Sequence, residues 1–307
     1  MSRASAGSHD TTPIAMARGH ALVVGVARNV AADLRATIAT LSRAIAPHAR
    51  SVQWLVIESD SRDGTIAELE ALERDVAGFR FISLGTLSPT IPLRTARIAR
   101  CRNQYLTAIR CDPRYRAIDW VVVADLDGVC DLITPEGVAS CWARDGWDAC
   151  MANQRGPYYD IWALRHPVWC PGDCFEQVAF LRRHGIEAER ARDAAFYSRM
   201  ITLAESDSWL EVDSAFGGLA LYRRQALAHG EYVGLNAAGG EVCEHVSLHQ
   251  AMRAAGAHFF INPRLVNTGV TPHAREALWP WPLVRRAKGL VRRAFSLRRR
   301  ASDRAFG

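Results

Sequence analysis

Residues 120–127 read WVVVADLD, an apolar run rich in β-branched side chains that ends in two acidic residues. A continuous run of this kind is typical of a strand buried on both faces of a parallel sheet. Because side chains alternate along an extended segment, we expect Asp125 and Asp127 to point the same way and Leu126 to turn into the core. Two such carboxylates are hard oxygen ligands that suit Mg²⁺ or Mn²⁺. The alternative is that they only cap a turn, since Gly128 follows.

The chain before this segment alternates between predicted strands and predicted helices. The strands are apolar and short, at residues 21–27 (ALVVGVA), 52–59 (VQWLVIES) and 79–84. The first helix is predicted at residues 34–45 from apolar residues at helical spacing, and further helices are predicted at residues 65–76 and 94–110. This order favours an α/β fold, Rossmann-like, with a mostly parallel sheet and helices on both faces.

The pattern becomes irregular after residue 130. Residues 148–213 are rich in Trp, Tyr, Pro and Gly, which suits a lobe that binds a ligand better than it suits the sheet itself. Regular segments return as a predicted strand at 217–222, a helix at 242–255 and a strand at 257–261, which Pro263 should end.

Composition and charge exclude several classes of protein. The chain has 307 residues, of which 49% are hydrophobic and 23% charged, as in ordinary globular proteins. Of its 38 basic residues, eight lie within residues 285–300, so the rest of the chain, with 32 acidic residues in all, is close to neutral. A near-neutral body argues against specific nucleic-acid binding. The only lysine is Lys288, which disfavours P-loop kinases and Schiff-base enzymes.

The eight cysteines are expected to be reduced. Residues 1–19 lack the apolar stretch of a secretory signal, and we therefore expect a cytoplasmic protein with a flexible leader. Cys170 and Cys174 are close enough to suggest a metal or redox site, but zinc sites usually have a second pair of ligands.

Ligands of open α/β sheets bind at the carboxyl ends of the strands, and polar clusters occur there in this sequence. Arg28 and Asn29 follow the first strand, ESDSRDGT (residues 58–65) follows the second, and the acidic pair follows the fourth. Together with Arg102 and Asn103 on the third helix, this order resembles the nucleotide-sugar-binding half of the GT-A glycosyltransferases.

The second half of the chain makes the resemblance more specific. YYDIWALR (residues 158–165), Gly217-Gly218 followed by Tyr222-Arg223, and CEHV (residues 243–246) are similar to the fungal capsule-associated α-1,3-mannosyltransferase family and its bacterial relatives. The likeness covers roughly residues 20–273. It implies a metal-dependent enzyme that moves a hexose, with GDP-mannose as the suspected donor, onto a glycan or a lipid-linked acceptor.

The resemblance also implies roles for particular residues. The residues implied to bind the nucleotide sugar are Arg28, Asn29, Glu58, Asp60, Arg102, Asn103 and Asp125. Asp125 and Asp127 would hold a divalent ion that bridges the diphosphate, with His273 as a third ligand. His245 and His249 compete for that third position, because a spacing of four places both on one face of a helix. The alternative for Arg102 is a solvated helix arginine.

Acidic and aromatic residues of the second half are candidates for catalysis and acceptor binding. Glu244 resembles the carboxylate that faces the acceptor hydroxyl, where it would act as a general base or orient the acceptor. Asp213 is the second catalytic candidate, and Glu211 lies beside it. The predicted acceptor-binding residues are Tyr158, Tyr159, Asp160, Trp162 and Arg165. The alternative for the aromatic residues among them is a small hydrophobic core.

Four segments follow from these predictions: the leader (1–19), a nucleotide-sugar-binding half (20–130), an acceptor-binding half (131–275) and a basic amphipathic tail (276–307). Tryptophans and cations within residues 279–300 favour contact with an anionic membrane, while a solubilising or RNA-binding tail is the alternative. Two other functions stay open: a catalytically degenerate GT-A protein that binds glycans or acts as a scaffold, and a nucleotidyltransferase. A nucleotidyltransferase is expected to have a Gly-rich loop followed by a lysine after the first strand, and this sequence has neither there.

Overall fold

A computed structural model describes residues 19–275 and 277–278. Its strands are β1 (His20–Ala27), β2 (Ser51–Glu58), β3 (Phe79–Ser83), β4 (Trp120–Ala124), β5 (Ala149–Gln154), β6 (Leu210–Val212), β7 (Leu219–Arg223) and β8 (Phe259–Thr268). The α-helices of the described part are α1 (Ala31–Ile45), α2 (Thr65–Asp75), α3 (Arg94–Cys111), α4 (Pro135–Ala139), α5 (Cys174–Arg183), α6 (Ala188–Ala195), α7 (Glu244–Ala254) and α8 (Pro272–Arg275).

All eight strands form one sheet in the order β3-β2-β1-β4-β7-β5-β8-β6. The four strands from β3 to β4 run parallel, as do β5 and β8. β7 is antiparallel to both β4 and β5, and β6 is antiparallel to β8. The predicted α/β fold with a mostly parallel sheet is confirmed.

Helices cover both faces of the sheet because alternate side chains of its central strands enter two separate cores. Leu22 and Val24 of β1 pack in the same cluster as Tyr105 of α3. Ala21 and Val23 face the other way and pack with α1 and α2. β1 thus buries both of its faces, as its uninterrupted apolar sequence predicted.

The structure corrects the prediction of an irregular segment at residues 148–213. β5 pairs there between β7 and β8, and α5 and α6 follow it. β5 (ACMANQ) has no β-branched residue, and α6 (AERARDAA) has alanine as its only apolar residue, so neither gives a clear periodic pattern. Asp173 caps α5 by accepting hydrogen bonds from the amides of Phe175 and Glu176.

The prediction that Pro263 ends the last strand is also wrong. β8 continues to Thr268, because its register against β5 shifts between Met151 and Asn153 and the extra residues include the proline. A proline is tolerated at such an irregularity because its missing N–H is not needed for the ladder. The Asn153 side-chain amide donates to the carbonyl oxygen of Pro263 at 3.0 Å and fixes the irregular stretch.

No helix among the described residues is both long and apolar enough to cross a membrane. Residues 1–18 of the predicted leader lie outside the described residues, and so does residue 276 and everything after 278 in the predicted basic tail.

Candidate active site

A cavity of about 590 Å³ opens at the carboxyl ends of β1 and β4. These two strands are parallel neighbours, so the residues that follow them meet at one edge of the sheet. The cavity wall combines the predicted residues Arg28, Asn29, Arg102, Asp125, Asp127, Tyr159, Asp160, Trp162 and Glu244. Residues from both halves of the sequence therefore line one site.

The two aspartates after β4 lie at the cavity. Asp125 and Asp127 both line the cavity, and Leu126 between them borders it while being buried in the hydrophobic core. The Asp125 amide donates to the carbonyl oxygen of Gly218 at 2.9 Å, which ties this segment to the start of β7. Burial raises the pKa of Asp125 to about 7; nearby Arg102 opposes the rise and Asp127 adds to it.

Arg102 is a buried cation in this wall and not a solvated helix residue. Its Nε donates to Glu244 at 2.9 Å, its Nη1 to the Tyr105 hydroxyl at 3.2 Å, and its Nη2 to Asp125 at 3.2 Å. Burial by itself lowers the pKa of the guanidinium, but Tyr105, Glu244 and Asp125 together hold that pKa well above its usual value. Arg102 therefore remains charged and joins the acidic segment after β4 to the first turn of α7.

Glu244 is the first residue of α7, where its carboxylate is favoured by the helix dipole. The residue is 7% exposed, lines the cavity and receives the Arg102 hydrogen bond. A carboxylate held in this way is fixed in position at the cavity wall.

Asp160 joins the irregular segment after β5 to the turn before β7. Its two carboxylate oxygens accept hydrogen bonds from the amides of Gly217 at 2.9 Å and Ala163 at 3.3 Å. Gly217 and Gly218 have φ values of +69° and +88°, so both occupy the left-handed region that favours glycine. Burial raises the pKa of Asp160, although the two backbone hydrogen bonds lower it.

The loop after β1 is held by the loop after β2. Asn29, with φ at +53°, accepts a hydrogen bond from the Arg62 amide at 2.7 Å, and its own amide donates to the Ser61 hydroxyl at 3.2 Å. Glu58 is buried and accepts from the Ser61 amide at 2.9 Å, outside the cavity lining. Asp60 accepts from the Ser88 amide at 2.8 Å and also lies outside the lining. Both acids support this loop in the structure.

Three other predicted residues are placed away from the cavity lining. Asn103 exchanges hydrogen bonds with the backbone of Tyr232, at 2.9 Å in each direction. Tyr158 is buried against Trp169 in the hydrophobic core, with the ring centroids 5.5 Å apart. Arg165 pairs with Asp173 at 3.1 Å and lines a second cavity on another side of α7. Tyr158 therefore packs in the core, which was the alternative to a role in acceptor binding.

The structure does not bring the acidic residues near β6 to the main cavity. Asp213 pairs with Arg253 at 3.2 Å and lines the second cavity. Glu211 contacts Arg253 at 3.3 Å and the His258 ring at 3.2 Å. Both carboxylates are about half exposed and occupied by surface ion pairs.

The three candidate histidines have different surroundings. His249 is fully buried with both ring nitrogens bonded, to the hydroxyls of Ser214 and Tyr222 at 2.8 Å each, so it is a core residue. Exposed His273 stacks on Tyr159 with ring centroids 6.5 Å apart, next to the cavity wall. His245 lies in the wall itself.

Asp125 and Asp127 fit a divalent ion by the chemistry of their oxygen donors. Both carboxylates face one cavity, they repel each other, and Asp125 has Arg102 as a cationic partner. In the described part of the chain, no group of three or more His, Cys, Asp or Glu side chains is arranged to hold a metal.

The cysteines of that part are free thiols that form no disulfide, and Cys170 accepts a hydrogen bond from Arg199 at 3.1 Å.

Several cavity residues were missed by sequence reasoning. Phe216, Arg94 and Arg97 line the cavity, and the ring of Phe216 lies 5.1 Å from the Arg102 guanidinium carbon. Phe216 precedes the glycine pair in the sequence, so its position beside a recognised motif was the available signal.

No family model matches this sequence, and no curated protein matches it either. Solved structures do match. A mannosyltransferase, PcManGT, from Pyrobaculum calidifontis in complex with GDP-Man and Mn²⁺ is 17% identical, with a TM-score of 0.49; the match covers 94% of this chain and 67% of that one.

Two further solved structures have lower scores. Glucosyl-3-phosphoglycerate synthase from Mycobacterium tuberculosis in complex with uridine diphosphate is 16% identical over 87% of this chain and 75% of that chain, with a TM-score of 0.38. S. aureus TarS 1-349 in complex with UDP-GlcNAc is 12% identical over 79% and 55% of the two chains, with a TM-score of 0.44.

Proposed function

We propose that this chain is a metal-dependent GT-A glycosyltransferase that transfers a hexose from a nucleoside diphosphate sugar. One observation carries the proposal: Asp125 and Asp127 share a cavity of about 590 Å³ with the buried pair of Arg102 and Glu244, at the carboxyl ends of β1 and β4. A cavity of this size accommodates a small ligand, and its wall combines polar groups with aromatic rings.

The nucleotide would lie against the loops after β1 and β2. Arg28, Asn29 and Ser59 line this side of the cavity, and the hydrogen bonds between the loops fix its shape. Glu58 and Asp60 act on the nucleotide indirectly in this proposal, because they hold those loops.

Asp125 and Asp127 would hold Mn²⁺ or Mg²⁺, and His273, which stacks on Tyr159 and is not grouped with the two aspartates in the structure, is the proposed third ligand. When bound, the ion acts as a Lewis acid that stabilises negative charge on the departing nucleoside diphosphate. Arg102 contributes a fixed positive charge next to Asp125, in a wall from which it cannot turn away because Glu244 and Tyr105 hold it.

Glu244 would face the acceptor. Arg102 orients its carboxylate, which would remove the acceptor proton if the transfer inverts the anomeric centre, or position the acceptor if the transfer retains it. Tyr159, Asp160 and Trp162 would form the acceptor side of the cavity. Asp213 stands as a less direct candidate, because it is already paired with Arg253.

The acceptor would be a glycan or a lipid-linked saccharide, reached at the cytoplasmic face of the membrane. Support for the membrane comes from the eight basic residues within 285–300 and the neighbouring tryptophans at 279 and 281. GDP-mannose is the first donor to test, because the motif resemblance suggests mannose.

A catalytically degenerate GT-A protein that binds glycans is the second candidate, with nucleotidyl transfer as a third. Thermal stabilisation by a panel of nucleotide sugars, in Mn²⁺ and in EDTA, tests the proposal first. We expect at least one donor to raise the melting temperature only in Mn²⁺, and a following assay to release the nucleoside diphosphate. Binding without release would favour the degenerate protein, and release of inorganic pyrophosphate from a nucleoside triphosphate would favour the nucleotidyltransferase.

A further inference from the structure

His245 is a buried imidazole in the wall of the cavity whose hydrogen-bonding capacity is unused. Its side chain is 3% exposed. Within the described ranges, neither Nδ1 nor Nε2 has a hydrogen-bond partner, and the Glu244 carboxylate lies 3.8 Å from Nε2, beyond hydrogen-bond distance. A buried polar atom without a partner destabilises the fold. An unpaired group at the wall of a binding cavity therefore points to a ligand that completes it.

Aromatic side chains surround the His245 ring. The ring stacks on Phe216 with centroids 4.0 Å apart and planes inclined by 22°, and Tyr232 meets it edge to face at 5.4 Å. Both neighbours also surround the Arg102 guanidinium, at 5.1 Å and 5.7 Å. These contacts place the imidazole beside the Arg102–Glu244 pair. Both ring nitrogens are covered in the structure, so a ligand in the cavity reaches them through a shift of the ring or of its neighbours.

The charge of His245 selects the chemistry of its partner. Burial, the positive charge of Arg102 and the neighbouring His249 lower its pKa well below the usual value, so the ring is neutral. A neutral imidazole offers one N–H donor and one nitrogen acceptor. A hydroxyl group also donates and accepts, whereas a phosphate oxygen only accepts. Among the described residues, His245 belongs to no group of three or more His, Cys, Asp or Glu side chains that could hold a metal.

We propose that His245 binds a hydroxyl group of a sugar ring in this cavity and thereby helps to select the sugar. This inference rests on the proposed glycosyltransferase function. The hydroxyl belongs either to the sugar that is transferred or to the acceptor. Both offer the same kind of hydroxyl group, and separate binding measurements distinguish the two.

Two substitutions separate hydrogen bonding from packing. His245→Phe keeps an aromatic ring that can stack on Phe216 but removes both nitrogens, and His245→Gln keeps one donor and one acceptor. His249→Gln is the matched control, since His249 lies one helical turn away and its nitrogens are already bonded to Ser214 and Tyr222. Melting temperatures of all variants establish that they fold.

Calorimetric titrations in Mn²⁺ with GDP, with GDP-mannose, and with methyl α-mannoside added to the GDP complex test the proposal. UDP and UDP-glucose, with methyl α-glucoside, replace them if wild type binds that pair more tightly. We expect His245→Phe to bind the nucleoside diphosphate like wild type but to lose about tenfold in affinity for either the nucleotide sugar or the methyl glycoside. His245→Gln should recover most of that loss, and His249→Gln should show none.

Loss on the nucleotide sugar assigns the hydroxyl to the transferred sugar, and loss on the methyl glycoside assigns it to the acceptor. The proposal is overturned if His245→Phe equals wild type in every titration. The proposal is also overturned if His245→Phe lowers the affinity for the nucleoside diphosphate as much as it lowers the affinity for the sugar ligands. It is overturned as well if binding of the nucleoside diphosphate to this variant no longer depends on Mn²⁺, because either result indicates a different role for His245. If wild type binds neither nucleotide pair, the proposed function fails first, and the role of His245 fails with it.

Discussion

Arg102 is the residue that connects the two halves of the site, because its guanidinium contacts Asp125 after β4 and Glu244 on α7. Removing one member of a buried ion pair leaves the other as an uncompensated charge. We expect Arg102→Met to lower the free energy of unfolding by about 3–5 kcal/mol at pH 7, as measured by urea denaturation.

The double variant Arg102→Met/Glu244→Gln tests the cause of this loss. It should be more stable than Arg102→Met alone, because it no longer buries the unpaired Glu244 charge. A double variant less stable than the single one would show that packing of the arginine side chain, and not charge pairing, dominates.

Buried His249 makes the stability of the fold depend on pH. Burial lowers the pKa of His249 to about 3, below the usual 6.5, so the unfolded chain binds an extra proton between these values. The stability that His249 contributes is complete above about pH 6.5 and is lost as the pH falls toward 3. Asp125 acts in the opposite direction as the pH falls below 7, so wild type alone gives a mixed profile.

Comparison with His249→Gln isolates the histidine. We expect the difference in unfolding free energy between wild type and variant to shrink by about 2 kcal/mol from pH 7.5 to pH 5. Urea denaturation at the two pH values measures it. Parallel pH profiles for the two proteins would mean that His249 is protonated alike in both states.

Among the structural elements, the turn before β7 positions two acidic residues of the site, Asp125 and Asp160. Gly217 and Gly218 supply the amide that Asp160 accepts from and the carbonyl that the Asp125 amide contacts. A Cβ at Gly217 would lie 2.7 Å from the Gln154 side-chain nitrogen and 3.0 Å from the Ala152 carbonyl oxygen. This turn has no space for a side chain.

Gly217→Ala should therefore be destabilising for two reasons, its φ of +69° and these contacts. Gly146→Ala is the matched control, since Gly146 has a φ of +76° and, among the described residues, no atom lies within 4 Å of the position that a Cβ would take there. We expect Gly217→Ala to lose at least about 1 kcal/mol more than Gly146→Ala in urea denaturation. Equal losses would show that only backbone conformation matters there.

The strands and helices differ in how well the sequence predicts them. β1, β2 and β4 were predicted almost to the residue, because strands buried on both faces have continuous apolar sequences. β5, α5 and α6 were missed, because their stability depends on neighbours that the local sequence does not reveal. The meeting of Arg102 with Glu244, 142 residues apart, depends on the strand order and could not be predicted from either motif.

At the scale of the whole molecule, charge is concentrated at the end of the chain. The stretch 285–300 holds eight basic residues and no acidic one. Each basic residue near an anionic bilayer contributes about 1 kcal/mol. We expect the full chain to co-sediment with phosphatidylglycerol vesicles but not with phosphatidylcholine vesicles, and the chain truncated after Pro282 to bind neither.

A variant with the eight basic residues replaced by glutamine separates charge from the apolar side chains of the same segment. It should also fail to bind the anionic vesicles. Undiminished binding by the truncated chain would show that the basic segment is not what attaches the protein to the membrane, and it would leave the proposal for the active site unaffected.

The proposed function depends most on a metal ion held by Asp125 and Asp127, which in turn holds the nucleotide. Calorimetric titration of GDP-mannose into wild type and Asp127→Ala, with Mn²⁺ and with EDTA, tests it most directly, and UDP-glucose is used if it binds wild type more tightly. Exposed Asp145 supplies the control variant Asp145→Ala. We expect Mn²⁺ to strengthen binding about tenfold or more in wild type and in Asp145→Ala, and to have no effect in a folded Asp127→Ala. Metal-dependent binding that survives in Asp127→Ala would contradict the account.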